Sequence, residues 1–336
     1  MGTDHRQADP ETLKAMLDVC LSSRPRVAGC DFGVPQTAGE QAKKIILIEA
    51  IRLGDRQYAI EPTGRNARLV RVVSNDAPWM DKRQGWTLPD LADSLSADRS
   101  VKVIAFDFPF SIPVSLLRDS DFAGRMKESP FMTRERWASF VSSHLRLQFD
   151  NDQASARLED LARFAPWRDK AFWKPRVTDK ETNASPPLKH MFQNVFAMTL
   201  AGSSLLSHLS VNGYTTVLDA NNPCAAQCVF ETYPRAVAKQ VGFTGSYKKD
   251  ADECLEKAEE FLAGRGIRLD FDEQVRRFCQ EYRTSGHDPD GADAFLCLVA
   301  AIAFQEGMAE LCGGEADAAM LREEGAVIVP SRLGAA

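Results

Sequence analysis

The sequence contains no run of about 18 uncharged apolar residues, the length a membrane-crossing helix requires, so no membrane association is expected. Residues 1 to 26 carry Asp, Glu, Arg and Lys throughout instead of a basic start followed by an apolar run. We therefore read residues 1–25 as an N-terminal extension, not an export signal, and expect a cytoplasmic protein. The cysteines are not arranged for metal. Of the eight, only Cys224 and Cys228 lie close together, and no second Cys or His pair completes a four-ligand zinc set. Several of the others sit in apolar runs as small hydrophobes, which suits a reducing compartment. An excess of positive charge is missing too: 41 Lys and Arg stand against 47 Asp and Glu. A net charge of −6 argues against a protein that coats nucleic acid indiscriminately, while leaving room for a local basic strip. No internal repeat or low-complexity tract is present. With 44% hydrophobic and 26% charged residues, what remains has the composition of a soluble globular protein.

Hydropathy patterning predicts an α/β fold. Arg26 to Gly33 is a short apolar run ending in a glycine turn, and residues 43–53 and 67–73 are rich in Ile, Val and Leu with polar stretches between them. These predict three antiparallel strands. Thr87 and Pro89, followed by Leu91, Ala92 and Leu95, predict an N-capped amphipathic helix over 87–96. Val101 to Phe108 is a further apolar strand, closed by Pro109. Between about 118 and 212 the pattern becomes helical and is broken by prolines, as expected of a mainly helical insertion. Strand character returns at 214–218 and 226–231, followed by helices at about 250–264, 271–284 and 290–307. Ala292 to Phe304 is almost wholly apolar, so that last helix is expected to be buried on more than one side.

Carboxylates interrupt this apolar pattern at four places: Asp31 in the first strand, Asp107 at the end of the 101–108 strand, Glu231 at the end of a later strand, and the pair Asp290 and Asp293 opening the apolar helix. Burying an ionised carboxylate costs several kcal/mol unless a partner compensates. The neighbours in these segments are mostly apolar, which makes a divalent cation the natural compensator. Asp290 and Asp293 are three residues apart, so on a helix they share a face, and strand ends converge on one sheet edge. Hard oxygen donors of this kind suit Mg²⁺ or Mn²⁺. A pair of such ions would orient a water and stabilise the leaving oxygen of a phosphodiester, which is nuclease chemistry.

The same residues carry a resemblance. Gly29-Cys-Asp31-Phe-Gly33, Phe106-Asp107-Phe-Pro109, Phe230-Glu231-Thr-Tyr-Pro234, Tyr247-Lys248 and His287-Asp-Pro-Asp290-Gly-Ala-Asp293-Ala294 resemble a family of prokaryotic predicted nucleases with an RNase H-like fold. The likeness runs in order, discontinuously, from about residue 26 to Glu324-Gly-Ala-Val-Ile-Val-Pro330, which resembles the family's closing strand. Asp290-x-x-Asp293-Ala also resembles the last helix of RuvC-type Holliday junction resolvases. The resemblance implies an RNase H-like mixed five-stranded sheet flanked by helices over 26–336, interrupted by the 118–212 insertion. It implies a metal set of Asp31, Asp107, Asp290 and Asp293, with nucleic acid, DNA or RNA, as partner. Glu231 or His287 would then handle protons, and Lys248, Arg134 and His287 would contact the substrate.

Each residue also has a plainer use. Asp107 can begin an Asp-Phe-Pro turn, Asp288 and Asp290 can serve the start of the helix, and Glu231 can pair with Arg235 or Lys248. In 163–180, six Arg or Lys alternate with Phe164, Trp167, Phe172 and Trp173. That pattern suits phosphates and stacked bases, or aromatics packing the insertion onto the sheet while the cations face water. Two other functions stay open. Asp31-Phe-Gly33 followed by Thr37 faintly resembles the phosphate loop of actin-like ATPases and sugar kinases, although no second glycine-rich loop follows. The alternative is a non-catalytic binding module with the same fold.

Overall fold

In the first strand, alternate side chains face two different cores, and this period-two split organises the molecule. The computed structural model describes residues 26–33, 44–61, 65–66, 86–97, 100–145, 169–189, 195–219, 227–247, 249–271, 273–280, 290–313 and 316–332. Nine strands lie within these: β1 (Arg26–Phe32), β2 (Ile45–Gly54), β3 (Gln57–Ile60), β4 (Val101–Asp107), β5 (Tyr214–Thr216), β6 (Gln227–Glu231), β7 (Arg268–Phe271), β8 (Ala309–Leu311) and β9 (Ile328–Pro330). The first seven form one sheet in the order β5-β6-β4-β1-β2-β3-β7. The pairs β1–β2 and β2–β3 are antiparallel and the other four are parallel. β8 and β9 make a separate antiparallel pair.

The sheet thus has seven strands where five were expected. Its two edges are β5, which falls in the 214–218 run where strand character was expected, and β7 (Arg-Leu-Asp-Phe), which reaches residue 271 of the expected 271–284 helix. Four residues are too few for periodicity to separate a strand from a helix start. The third strand, β3, precedes the 67–73 run. Asp55 and Arg56 close a tight turn, with Arg56 in the left-handed region at φ 51°, and Tyr58 and Ile60 then point into the core. The 67–73 strand expectation lies outside the described residues.

Helices cover both faces. On one lie α1 (Leu88–Ala97), α2 (Val114–Leu117), α3 (Ser120–Arg125), α4 (Arg134–Leu145), α5 (Val177–Thr182) and α6 (Val195–Val211). Thr87 caps α1 as predicted, its hydroxyl accepting from the Asp90 N–H at 3.2 Å. The core on this face takes Ala28, Cys30 and Phe32 from β1, Ile104 and Phe106 from β4, and an aromatic cluster around Phe108, Phe122 and Trp137. Within the basic–aromatic stretch, Phe172 packs against Phe122 at 5.1 Å and Arg176 is fully buried, so packing accounts for these two.

The opposite face carries α7 (Pro234–Gln240), α8 (Ala251–Ala263), α9 (Glu273–Gln280) and α10 (Asp290–Gln305), while α11 (Ala318–Glu324) leads into β9. α10 is central: it packs on β1, β2 and β4 below and on α7, α8, α9 and β9 around it. Every residue from Ala294 to Ala303 is 0% exposed, which accounts for the nearly unbroken apolar sequence. Gly29 makes this packing possible. A Cβ there would lie 2.0 Å from the Leu298 nitrogen and 2.4 Å from the Ala294 oxygen, so only glycine lets the helix backbone rest directly on β1. Among the described residues no helix is long and apolar enough to cross a membrane.

Candidate metal centre

Asp31 is the penultimate residue of β1, and in the parallel β1–β4 ladder it stands beside Asp107, the last residue of β4. Residues paired in register share a face. Val27 of β1 and Val103 and Ala105 of β4 belong to the core under α10, so two-residue alternation brings Asp31 and Asp107 to that same side. α10 begins where these strands end, and its contact with Gly29 places Asp293, in the first turn, above them. One carboxylate oxygen from each of Asp31, Asp107 and Asp293 lies within 4.8 Å of the others. Asp31 is 6% exposed and Asp293 4%, and Asp107 is half-buried, so water screens the group from one side only. The start of α10, where the helix dipole is positive, favours negative charge at this spot.

Neighbouring groups register the field of these carboxylates. The Cys297 thiol is held well above its ordinary range, first by burial and then by Asp107, Asp31 and Asp293. Cys30 is raised in the same way by burial, Asp31 and Asp107. Cys254 is pushed up to about 12 by burial, with Asp293 contributing. The Tyr247 hydroxyl is raised by burial and by Asp293, to which it hydrogen-bonds, with Asp107 adding to the effect. The groups packed around the carboxylates therefore stay protonated and neutral. Tyr247 was not given a role from the sequence; the one signal there was its place beside Lys248 in a short motif.

Asp31, Asp107 and Asp293 thus come together as expected from the sequence, whereas Glu231 stands elsewhere. In the β4–β6 ladder Glu231 pairs with Phe106, one residue short of Asp107, and this single step turns its side chain to the other face. There it accepts from Arg176 at 2.5 and 2.6 Å and from the Phe110 N–H at 2.9 Å. Its partner is Arg176, where the sequence suggested Arg235 or Lys248. Burial acts to raise the Glu231 carboxyl, and the Arg176 guanidinium opposes that effect.

Asp290 is the first residue of α10, and its side chain lies outside the described residues, as do Lys248 and His287. Arg134 opens α4, is 7% exposed, and donates to Glu135 at 3.1 Å. With Phe110, Ser207, Thr215 and Asp219 it lines a cleft of about 260 Å³ whose walls include none of the three aspartates.

Three oxygen donors at a sheet edge, two of them buried, form a donor set that fits a hard divalent cation such as Mg²⁺ or Mn²⁺. Comparison with protein-family models, with curated proteins and with solved structures found no match for this chain, so the reading of the centre rests on its own geometry.

Proposed function

We propose that the chain is a metal-dependent hydrolase of nucleic-acid phosphodiester bonds, with an RNase H-like core and with Asp31, Asp107 and Asp293 holding Mg²⁺ or Mn²⁺. The observation that carries this reading is the convergence of three carboxylates, 262 residues apart between the first and the last (293 − 31), within 4.8 Å. The sheet supports it. β6-β4-β1-β2-β3 is a mixed five-strand block in which an antiparallel meander leads through α1 into parallel strands, the order of elements the RNase H-like reading expects.

In this reading Asp31 and Asp107 are rigid donors, because Asp31 is held by ladders on both sides and Asp107 is paired with Asp31 directly after the last β4–β6 pair, Phe106 with Glu231. Asp293 is fixed by α10, and the Tyr247 hydroxyl steadies its carboxylate. Asp290, one helical turn before Asp293, would assist from the same helix face. Bound Mg²⁺ or Mn²⁺ would supply a more acidic water and a counter-charge for the leaving oxygen. The apolar packing beneath Asp31 and Asp293 keeps water from that side of the group. Glu231 is committed to Arg176 and takes no part in proton transfer, which leaves His287, three residues before Asp290, as the candidate proton carrier.

The test is cleavage of labelled single-stranded, duplex and branched DNA and RNA by the purified chain with Mn²⁺. The proposal expects cleavage of at least one substrate and its loss in Asp31→Asn. ATP hydrolysis alone would replace it with the kinase-like reading. Inactivity on every substrate, with no stabilisation by Mn²⁺, would leave a binding module.

A further inference from the structure

We propose that Arg176 is a positioning residue for the metal centre, holding Asp107 in place through Glu231; this rests on the metal-site reading above. Arg176 precedes α5, far in sequence from either strand, and is 1% exposed. Its guanidinium makes a bidentate pair with Glu231 (Nη2 to Oε1 2.5 Å, Nη1 to Oε2 2.6 Å). It also donates to Asp179 from Nη2 at 2.7 Å and from Nε at 3.2 Å, and to the Glu324 carbonyl from Nη1 at 2.9 Å. A flat, fully engaged guanidinium of this sort fixes the plane of the carboxylate it grips.

The segment that this network holds is the one that carries Asp107. The Phe106 carbonyl accepts from the Thr232 N–H at 2.9 Å, directly after Glu231. The Phe110 N–H donates to Glu231 Oε2 at 2.9 Å. The Val114 N–H donates to Glu324 Oε1 at 2.9 Å, and the other oxygen of Glu324 accepts from Val177, next to Arg176. Asp107 is therefore pinned one residue before and three residues after, and the loop behind it is pinned at Val114. Glu231 orients the Phe110 pin only while the guanidinium holds its carboxylate. Gly325 lets this network close, because a Cβ there would lie 3.0 Å from Glu231 Oε2 and 3.3 Å from Arg176 Nη1.

The experiment measures Mn²⁺ affinity of the folded full chain by titration calorimetry for wild type, Arg176→Lys, Glu231→Gln and Leu95→Ala. Leu95 lies in the core under α1 and serves as a variant that is destabilised without touching the network. Arg176→Lys and Glu231→Gln are expected to weaken Mn²⁺ binding at least 10-fold, the range for residues that orient ligands, with Leu95→Ala within about 2-fold of wild type. Binding within about 2-fold of wild type in both network variants would overturn the inference, as would an equal loss in Leu95→Ala. A readout on the unaltered protein covers variants that do not fold: Mn²⁺ should slow hydrogen exchange at the Phe110 and Val114 amides, and unchanged exchange there overturns it as well. Absence of Mn²⁺ binding by wild type would instead remove the metal-site reading, and this inference with it.

Discussion

Replacing Asp31 by Asn should make the metal-free protein more stable and abolish its stabilisation by Mn²⁺, two effects that few other roles for this residue would produce together. Unit charges 4.8 Å apart repel by about 3.5 kcal/mol at the effective dielectric constant of about 20 that suits such sites. Asn removes two of the three repelling pairs, about 7 kcal/mol at this outer separation, before counter-charges and the helix dipole offset part of it. Replacing buried ion pairs by apolar residues gains up to about 1 to 4 kcal/mol, and we take the same order for relieving this repulsion. Unfolding entropy of about 2.1 cal/mol/K per residue over 336 residues makes 1 kcal/mol worth roughly 1.4 °C in Tm, so metal-free Asp31→Asn should melt roughly 1 to 6 °C above wild type. Mn²⁺ at a hundredfold excess over its Kd adds about 2.7 kcal/mol to wild type, or roughly 4 °C, and should add nothing to the variant. Thermal unfolding followed by circular dichroism, in EDTA and in Mn²⁺ at low ionic strength, reads both arms. The reasoning fails if the variant melts below wild type in EDTA and still gains from Mn²⁺.

Three further outcomes follow from the packing. Tyr247→Phe removes the hydroxyl that hydrogen-bonds Asp293 and should weaken Mn²⁺ binding 10-fold or more while leaving Tm within about 2 °C; calorimetry that finds unchanged affinity contradicts this. Gly29→Ala drives a methyl into the Leu298 nitrogen and the Ala294 oxygen, so it should destabilise by about 3 kcal/mol or more and abolish the Mn²⁺ response, because the helix carrying Asp293 must move away from β1; denaturant unfolding measures the first effect and thermal shift the second. His208, hydrogen-bonded to Ser96 at 3.1 Å, is held below its ordinary value mainly by burial, so the folded state resists its protonation. Its contribution to stability is present above about pH 6.5 and is lost as pH falls through the folded value. Urea unfolding at pH 7.5 and pH 5 should therefore show a loss that is smaller in His208→Gln, and an equal loss in both proteins would refute the assignment.

Much of the centre is visible in the linear chain, because a carboxylate within an apolar run is conspicuous. Asp31 and Asp107 end strands predicted from their own neighbours, and Asp293 lies just inside a helix whose apolar sequence implies burial on all sides. Gly29, two residues before Asp31, is equally plain as a residue, but its use is not: the helix it accommodates lies more than 260 residues away. The edge strand β5 lies in the 214–218 run that reads as a strand, whereas β7, of four residues, is too short for a periodic signal of its own.

Local pattern determined that acids would end certain strands and open one helix; register and long-range pairing decided which of them meet. Glu231 ends a strand just as Asp107 does, and nothing in either segment reveals that β4 and β6 pair with Phe106, not Asp107, beside it. Because side chains alternate, that offset of one residue sends Glu231 to the opposite face, where Arg176 takes it up. Arg176 itself reads in sequence as one cation of a basic stretch, and only the fold, by removing it from water between two carboxylates, makes it a structural ion.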